Sequence, residues 1–206
     1  MKKKVLLHAC CAPCASYPII KLIEDKYEPV VFFYNPNIFP SEEYNIRRVE
    51  LQKYCNQLKI KYIEGEYEIK QFYKAIAGFE NEPEKGKRCS ICFDLRLEKT
   101  AQVAQQMKID FFTTTLTVSP HKNSNQVFES GTKIAQKYGI SFLEYNFKKE
   151  DGFKKSREIA RKNNMYAQSY CGCESSRTQS IVRLHLNWED LQKRVKKRQN
   201  VEFWRF

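Results

Sequence analysis

Short apolar runs alternate with amphipathic stretches over residues 4–147, and that alternation leaves few folds open. "KVLLHAC" reads as a strand, followed by a helical stretch through "SYPIIKLIED". A second strand, Val30 to Tyr34, is broken by Asn35, Pro36, Asn37 and Pro40. "SEEYNIRRVELQKYCNQL" has the pattern of an amphipathic helix, with Ser41 as its N-cap and acids in its first turn. "IKYIEGEY" gives a third strand, and a polar loop near "NEPEKGK" leads into the helix "SICFDLRLEKTAQVAQQMK". "IDFFTTTLTV" is a fourth strand ending at "SPHKNSN". "SNQVFESGTKIAQKYG" is a helix closed by Gly139, and "ISFLEYNF" is a fifth strand. This order predicts an α/β fold, a mostly parallel sheet flanked by helices. Ligands of such sheets gather beyond the carboxyl ends of the strands. The first cysteine cluster, "NPNIF" and "SPHKN" all fall there.

We expect residues 1–147 to form this α/β domain and residues 148–206 to form a basic helical region packed on it. The net charge of +12 is large for 206 residues and points to a polyanionic partner, nucleic acid before an anionic membrane surface. No run approaches the roughly 20 apolar residues that span a bilayer. The start "MKKKVLLHAC" imitates a signal sequence, but its apolar part is only Val5 to Leu7, far short of the roughly 7–15 residues needed. The expected compartment is the cytoplasm, and no membrane partner is expected.

Eight cysteines in a cytoplasmic chain read as metal ligands or catalytic thiols rather than as a disulfide framework. Cys55 stands alone within a helix and reads as a small buried hydrophobe. The others fall in three groups: Cys10-Cys11-x-x-Cys14, Cys89-x-x-Cys92 and Cys171-Gly172-Cys173. Cys89 and Cys92 open a helix, where backbone N–H groups, the helix dipole, Lys87 and Arg88 are expected to lower their pKa values. With Cys10 and Cys11 they supply the thiolates of either a tetrahedral zinc site or an iron–sulfur cube. Adjacent cysteines grip one ion poorly and reach two irons of a cluster more easily, which favours the cube. Cys171 and Cys173 enclose one glycine. A disulfide across that span is strained and labile, so the pair reads as redox-active, with further metal ligands or idle thiols as the alternatives.

"LLHACCAPC", "RCSICFDLRL", "TTLTVSPHKN" and "YAQSYCGCESS" resemble, in order and spacing, the motifs of the QueH-type epoxyqueuosine reductases, over about residues 4–178. The resemblance implies a HUP or PP-loop-like α/β fold. It implies cobalamin-independent reduction of epoxyqueuosine to queuosine at the wobble position of a tRNA. Carried over residue by residue, Cys10, Cys11, Cys89 and Cys92 would ligate a [4Fe–4S] cluster, and Cys171 and Cys173 would be the redox pair. Room remains for a second, mononuclear iron, with Cys14 and Asp94 as candidate ligands. The partners implied are a tRNA carrying epoxyqueuosine in its anticodon loop and an external electron donor, and no DNA.

Candidate phosphate contacts are Lys154, Lys155, Arg157, Arg161 and Lys162, with Lys193, Arg194, Lys196, Lys197 and Arg198 in the tail. Phe203, Trp204 and Phe206 can stack on unpaired bases or anchor the last helix. His121 and Lys122 sit at a strand end, suited to phosphate contact or proton supply, whereas His8 reads as a core residue. Two other functions fit parts of the pattern. A PP-loop-like ATP-dependent tRNA-modifying enzyme needs a glycine-bearing pyrophosphate loop after the first strand, where this chain reads "HACCAPCAS". A zinc-containing RNA-binding protein would use the same thiols without redox chemistry.

Overall fold

The structure, a computed structural model, describes residues 2–181, so the readings placed on the basic and aromatic tail lie outside the described residues. Five parallel strands form one sheet in the order β3-β2-β1-β4-β5. They are β1 (Lys3–Ala9), β2 (Tyr27–Phe33), β3 (Tyr62–Glu64), β4 (Phe111–Thr114) and β5 (Ser141–Phe142). In the register, Leu6 lies opposite Val30 on β2 and Phe112 on β4, and His8 lies opposite Phe32 and Thr114. From Val5 onward β1 is buried at every position, as expected for the middle of a sheet covered on both faces.

The period-two alternation of the strands divides the core. Leu7, Val31 and Phe33 pack with Ile19 and Leu22 of α1 (Ala12–Glu24) and Leu51 of α2 (Ser41–Gln57). Leu6, Val30, Phe32 and Phe112 pack with Leu97 and Ala101 of α4 (Lys87–Gln106) and Val127 and Ile134 of α5 (Ser124–Tyr138). Each fully buried leucine or isoleucine contributes roughly 1.5–3 kcal/mol of burial free energy. The predicted α/β class, a parallel sheet flanked by helices, is what these layers form.

Several local expectations change. Pro40, not Ser41, occupies the N-cap of α2, with extended backbone, and Ser41 is the first helical residue. The fourth strand stops at Thr114 because its hydroxyl accepts the Leu116 N–H and turns Thr115–Val118 into a 3-10 helix. The fifth strand is only Ser141–Phe142. A short helix, α3 (Ile69–Ala75), precedes the polar loop. Helix α4 begins at Lys87, so Cys89 lies in its first turn. Gly139 closes α5 in the left-handed conformation, as read from the sequence. Beyond the sheet, α6 (Gly152–Lys162) packs on α1, with Ser16 Oγ donating to the Ser156 carbonyl at 3.4 Å. Residues 174–181 are also helical.

Candidate active site: a thiol-lined crevice

Strand order reverses between β1 and β4, which opens a crevice beyond their carboxyl ends. Cys10 leaves β1 and Thr115 leaves β4 at this point, with Cys10 Sγ 3.8 Å from Thr115 Oγ1. A cavity of about 730 Å³ opens here, and Cys10, Cys14, Cys89, Cys171 and Cys173 all line it.

The amino-terminal trio is the tightest group. The Sγ atoms of Cys10, Cys11 and Cys14 all lie within 4.8 Å of one another, so these three can hold a metal ion. Local structure explains their closeness. Cys11 is the N-cap of α1 and its sulfur accepts the Cys14 N–H at 3.4 Å, which brings the third thiol back over the first two. Gln168 Nε2 donates to Cys11 Sγ at 2.9 Å from the far end of the chain. Hydrogen bonds from Cys11 and Cys14, aided by Arg47 and Arg96 against the effect of burial, hold the Cys10 thiol well below its usual range. Burial and the Cys10 hydrogen bond push Cys11 up, and Cys14 rises chiefly through its own hydrogen bond with Cys10.

Cys89 reaches the same cavity from the first turn of α4 and accepts the Lys85 N–H at 3.3 Å. Cys92 lies deeper, packed with Cys173, Phe72 and Ile76. Burial pushes its thiol up to about 12 despite the nearby Arg96, so the expected lowering at the helix start is overridden at this position. Asp94, the candidate acid beside Cys14, faces α5 instead. Its carboxylate accepts from Ser130 Oγ and from Lys133 Nζ, the latter at 2.8 Å.

The loop carrying Cys171 and Cys173 is held from three sides. Arg47 donates to the carbonyls of Tyr170 and Cys171, both at 3.1 Å, and its Nε bonds Glu43 at 2.7 Å. The Phe39 N–H donates to the Gly172 carbonyl at 2.8 Å. Gly172 has φ +129, where an added Cβ would meet Ile38 at 3.0 Å and Asn37 at 3.2 Å. Lys122 Nζ lies 2.8 Å from Cys171 Sγ.

Buried cations therefore surround the thiols. Arg96 is 1 % exposed, donates to the Cys92 carbonyl at 3.1 Å, and its Nη2 has no hydrogen-bond partner among the described residues. Burial pulls its pKa down, but the charges of Cys92, Cys171, Cys10 and Cys89 outweigh that and raise it. A buried guanidinium is stable only beside compensating negative charge, which here comes from sulfur. The donor set and these cations together fit an anionic, thiolate-bound metal centre.

Sequence reasoning did not find Arg47, Arg96 or Gln168. Arg88, Cys92 and Arg96 recur at helical spacing along α4, a pattern that marks one face and could have exposed Arg96. His8 is a core residue as read, bonded to Thr114 Oγ1 at 2.9 Å and to the Tyr34 carbonyl at 3.1 Å. Cys55 is fully buried among Leu51, Tyr54 and their neighbours, also as read. Arg157, Arg161, Phe153 and His121 line the cavity. No helix among the described residues is long and apolar enough to cross a membrane.

The fold resembles that of solved tRNA-modifying proteins. A predicted subunit of a tRNA methyltransferase from Methanocaldococcus jannaschii superimposes with a TM-score of 0.52 at 16% identity, covering 76% of this chain and 74% of that one. The U34-tRNA thiolase NcsA of Methanococcus maripaludis, solved with its [4Fe-4S] cluster, gives 0.51 at 15% identity, covering 92% and 68%. Sequence relatives are much nearer. Epoxyqueuosine reductase QueH of Streptococcus pyogenes is 36% identical over 179 residues, 84% of this chain and 70% of the relative. The protein of the same name from Haemophilus influenzae is 38% identical over 171 residues, covering 82% and 70%. That of Thermotoga maritima is 37% identical over 172 residues, covering 82% and 88%. The family model described as "Epoxyqueuosine reductase QueH" matches residues 5–179, the whole stretch from β1 to the helical segment behind Cys173. The chain belongs to the QueH family of epoxyqueuosine reductases, which are oxidoreductases.

Proposed function

We propose that this chain reduces epoxyqueuosine to queuosine at the wobble position of a tRNA, in the cytoplasm and without cobalamin. The observation that carries this reading is the convergence of all three cysteine groups on the crevice between β1 and β4. Cys10, Cys11, Cys89 and Cys92 would hold a [4Fe–4S] cluster, with Cys14 as a candidate ligand of a second, mononuclear iron. Bound there, iron would supply single-electron transfer and a Lewis acid for the departing oxygen. Cys171 and Cys173 act as a dithiol that gives up two electrons and closes to a disulfide, which an external reductant reopens.

The protein side of the reaction follows from the cavity. An anticodon-loop base is reached without opening a duplex, so splaying it into the crevice costs little. Arg157 and Arg161 at the rim suit the flanking phosphates, and Phe153 offers a ring for stacking. Lys154, Lys155 and Lys162 extend the positive surface along α6.

The test is to incubate anaerobically reconstituted protein with epoxyqueuosine-bearing tRNA and a reductant, then weigh the nucleosides. The expected product is lighter by one oxygen atom, and an unchanged nucleoside overturns the reading. Multiple-turnover reduction unaffected by Cys171→Ser and Cys173→Ser would remove the dithiol from the scheme.

A further inference from the structure

We propose that Glu84 selects the modified base: its carboxylate receives the secondary ammonium that links the deazaguanine of epoxyqueuosine to its epoxide-bearing ring. The proposal rests on the reading of this crevice as the site of epoxyqueuosine reduction.

The lining of the cavity is strongly biased in charge. Lys85, Arg88, Lys122, Arg157 and Arg161 all line it, and Glu84 bears the only carboxylate among the described lining residues. The cations suit a polyanionic tRNA. The carboxylate does not, because it repels the phosphates that those cations attract. It assists binding only if the group that enters the cavity is itself positive.

The substrate is positive at one place. Epoxyqueuosine carries a methylene on its deazaguanine ring, then a secondary amine, then the cyclopentane ring that bears the epoxide. A secondary amine of this kind takes up a proton at neutral pH, so the arm presents a cation with two N–H donors. Unmodified guanine has no such arm. A carboxylate facing the ammonium forms a charge-assisted hydrogen bond, roughly twice as strong as a neutral one.

Local structure sets Glu84 on the thiol side of the cavity. It lies in the turn that leads into α4, whose N-cap is Gly86. Lys85, the next residue, has φ +71, and its N–H donates to Cys89 Sγ at 3.3 Å. Gln126 of α5 holds the turn, its Nε2 donating to the Lys85 carbonyl at 3.2 Å and the Gly86 carbonyl at 3.4 Å. On the other side of Glu84, Glu82 accepts the Lys87 N–H at 3.2 Å. The turn is thus clamped twice, and Glu84 stands one residue from a backbone group bonded to a crevice thiol. The amine nitrogen is attached directly to the ring that carries the epoxide. Holding that nitrogen at Glu84 therefore turns the epoxide toward the thiols and orients it without any bond to the reacting carbons.

The test compares two tRNAs of one sequence, bearing epoxyqueuosine or guanine at the wobble position. Filter binding without reductant, so that nothing turns over, gives their affinities for full-length wild-type protein, Glu84→Gln and Glu84→Asp. The wild-type protein is expected to bind the epoxyqueuosine tRNA about tenfold more tightly, the effect of one charge-assisted hydrogen bond. Glu84→Gln should shrink that ratio about fivefold or more and leave the guanine tRNA within about twofold, which also shows that the variant folds. Glu84→Asp, which keeps the charge, should retain most of the ratio. Equal wild-type affinity for the two tRNAs overturns the proposal, and so does a ratio unmoved in Glu84→Gln. Equal weakening of both tRNAs in Glu84→Gln overturns it too, since that is what a structural role predicts. The oxygen-loss assay on wild-type protein is scored separately: if oxygen is lost and the selectivity survives Glu84→Gln, this proposal fails alone.

Discussion

Arg47 and Cys171, 124 residues apart in sequence, are joined by a hydrogen bond of 3.1 Å from guanidinium to carbonyl. The same side chain is buried against Glu43, and its charge acts on Cys10 and Cys11. One residue of α2 thus ties the carboxyl-terminal thiol loop to the amino-terminal trio.

Removing that guanidinium strands a buried carboxylate whose other oxygen accepts only Tyr166 Oη among the described contacts. Arg47→Met is expected to lower stability by about 3–5 kcal/mol. Adding Glu43→Gln should recover a good part of the loss, because no unpaired charge then remains. Urea unfolding of the single and double variants measures both.

Gly172→Ala places a methyl group against Ile38 and Asn37 at a backbone angle that L residues avoid. Strain of this kind costs about 1–3 kcal/mol. The expected result is a lower melting temperature together with slower closure of the Cys171–Cys173 disulfide under mild oxidant, since the loop must shift to fit the methyl group.

Cys55 is the control among the cysteines. It sits in the core, and burial pushes its thiol up to about 12. Cys55→Ser buries a new hydroxyl and is expected to cost about 1–3 kcal/mol, with iron content after reconstitution unchanged. Cys10→Ser should do the reverse, losing iron with little effect on the unfolding midpoint of the metal-free protein. Iron per chain is the deciding measurement.

Asp25 accepts Lys21 Nζ at 2.6 Å and Tyr145 Oη at 2.7 Å, and these bonds, Lys21 first, hold its carboxyl below the usual value. On acidification the unfolded chain takes up this proton before the folded one does. Its stabilising contribution is therefore complete above about pH 4 and fades as pH falls through the lower folded value. Asp25→Asn should flatten that acid limb, with an effect of roughly 0–1 kcal/mol for a half-buried pair still screened by solvent. Thermal melts between pH 2 and 6 read it.

The basic face of α6 is expected to set how tRNA affinity responds to salt. Arg157→Gln and Arg161→Gln should each weaken binding and reduce the slope of log affinity against log salt by about 1. Filter binding at a series of potassium chloride concentrations checks this.

Wherever one local signal dominated, the fold was legible. Val5–Leu7 and Val30–Phe33 are continuous apolar runs, and both became central strands buried on both faces. Glycine at 139 marked a helix end that has the left-handed backbone it favours. The fourth strand misled because its threonines share strand propensity with the ability to accept backbone N–H groups, and Thr114 used the second. The grouping of the cysteines showed in their spacing. The buried cations did not, because arginine and lysine usually mark solvated surface. Arg47 is inside because Glu43 is there to pair with it and Arg96 because thiols surround it, tertiary facts that periodicity along one helix does not encode.

Cys11 has two structural attachments: it caps α1 and stands among the sulfurs of the crevice. A helix normally relies on a serine, threonine, asparagine or aspartate at that position, groups that resist oxidation. Here the same sulfur that accepts the Cys14 N–H at the start of a core helix also belongs to the trio able to hold a metal ion, so a disturbance of that trio would be felt as fraying of α1. The start of the helix and the grouping of the crevice thiols are thereby coupled through a single atom.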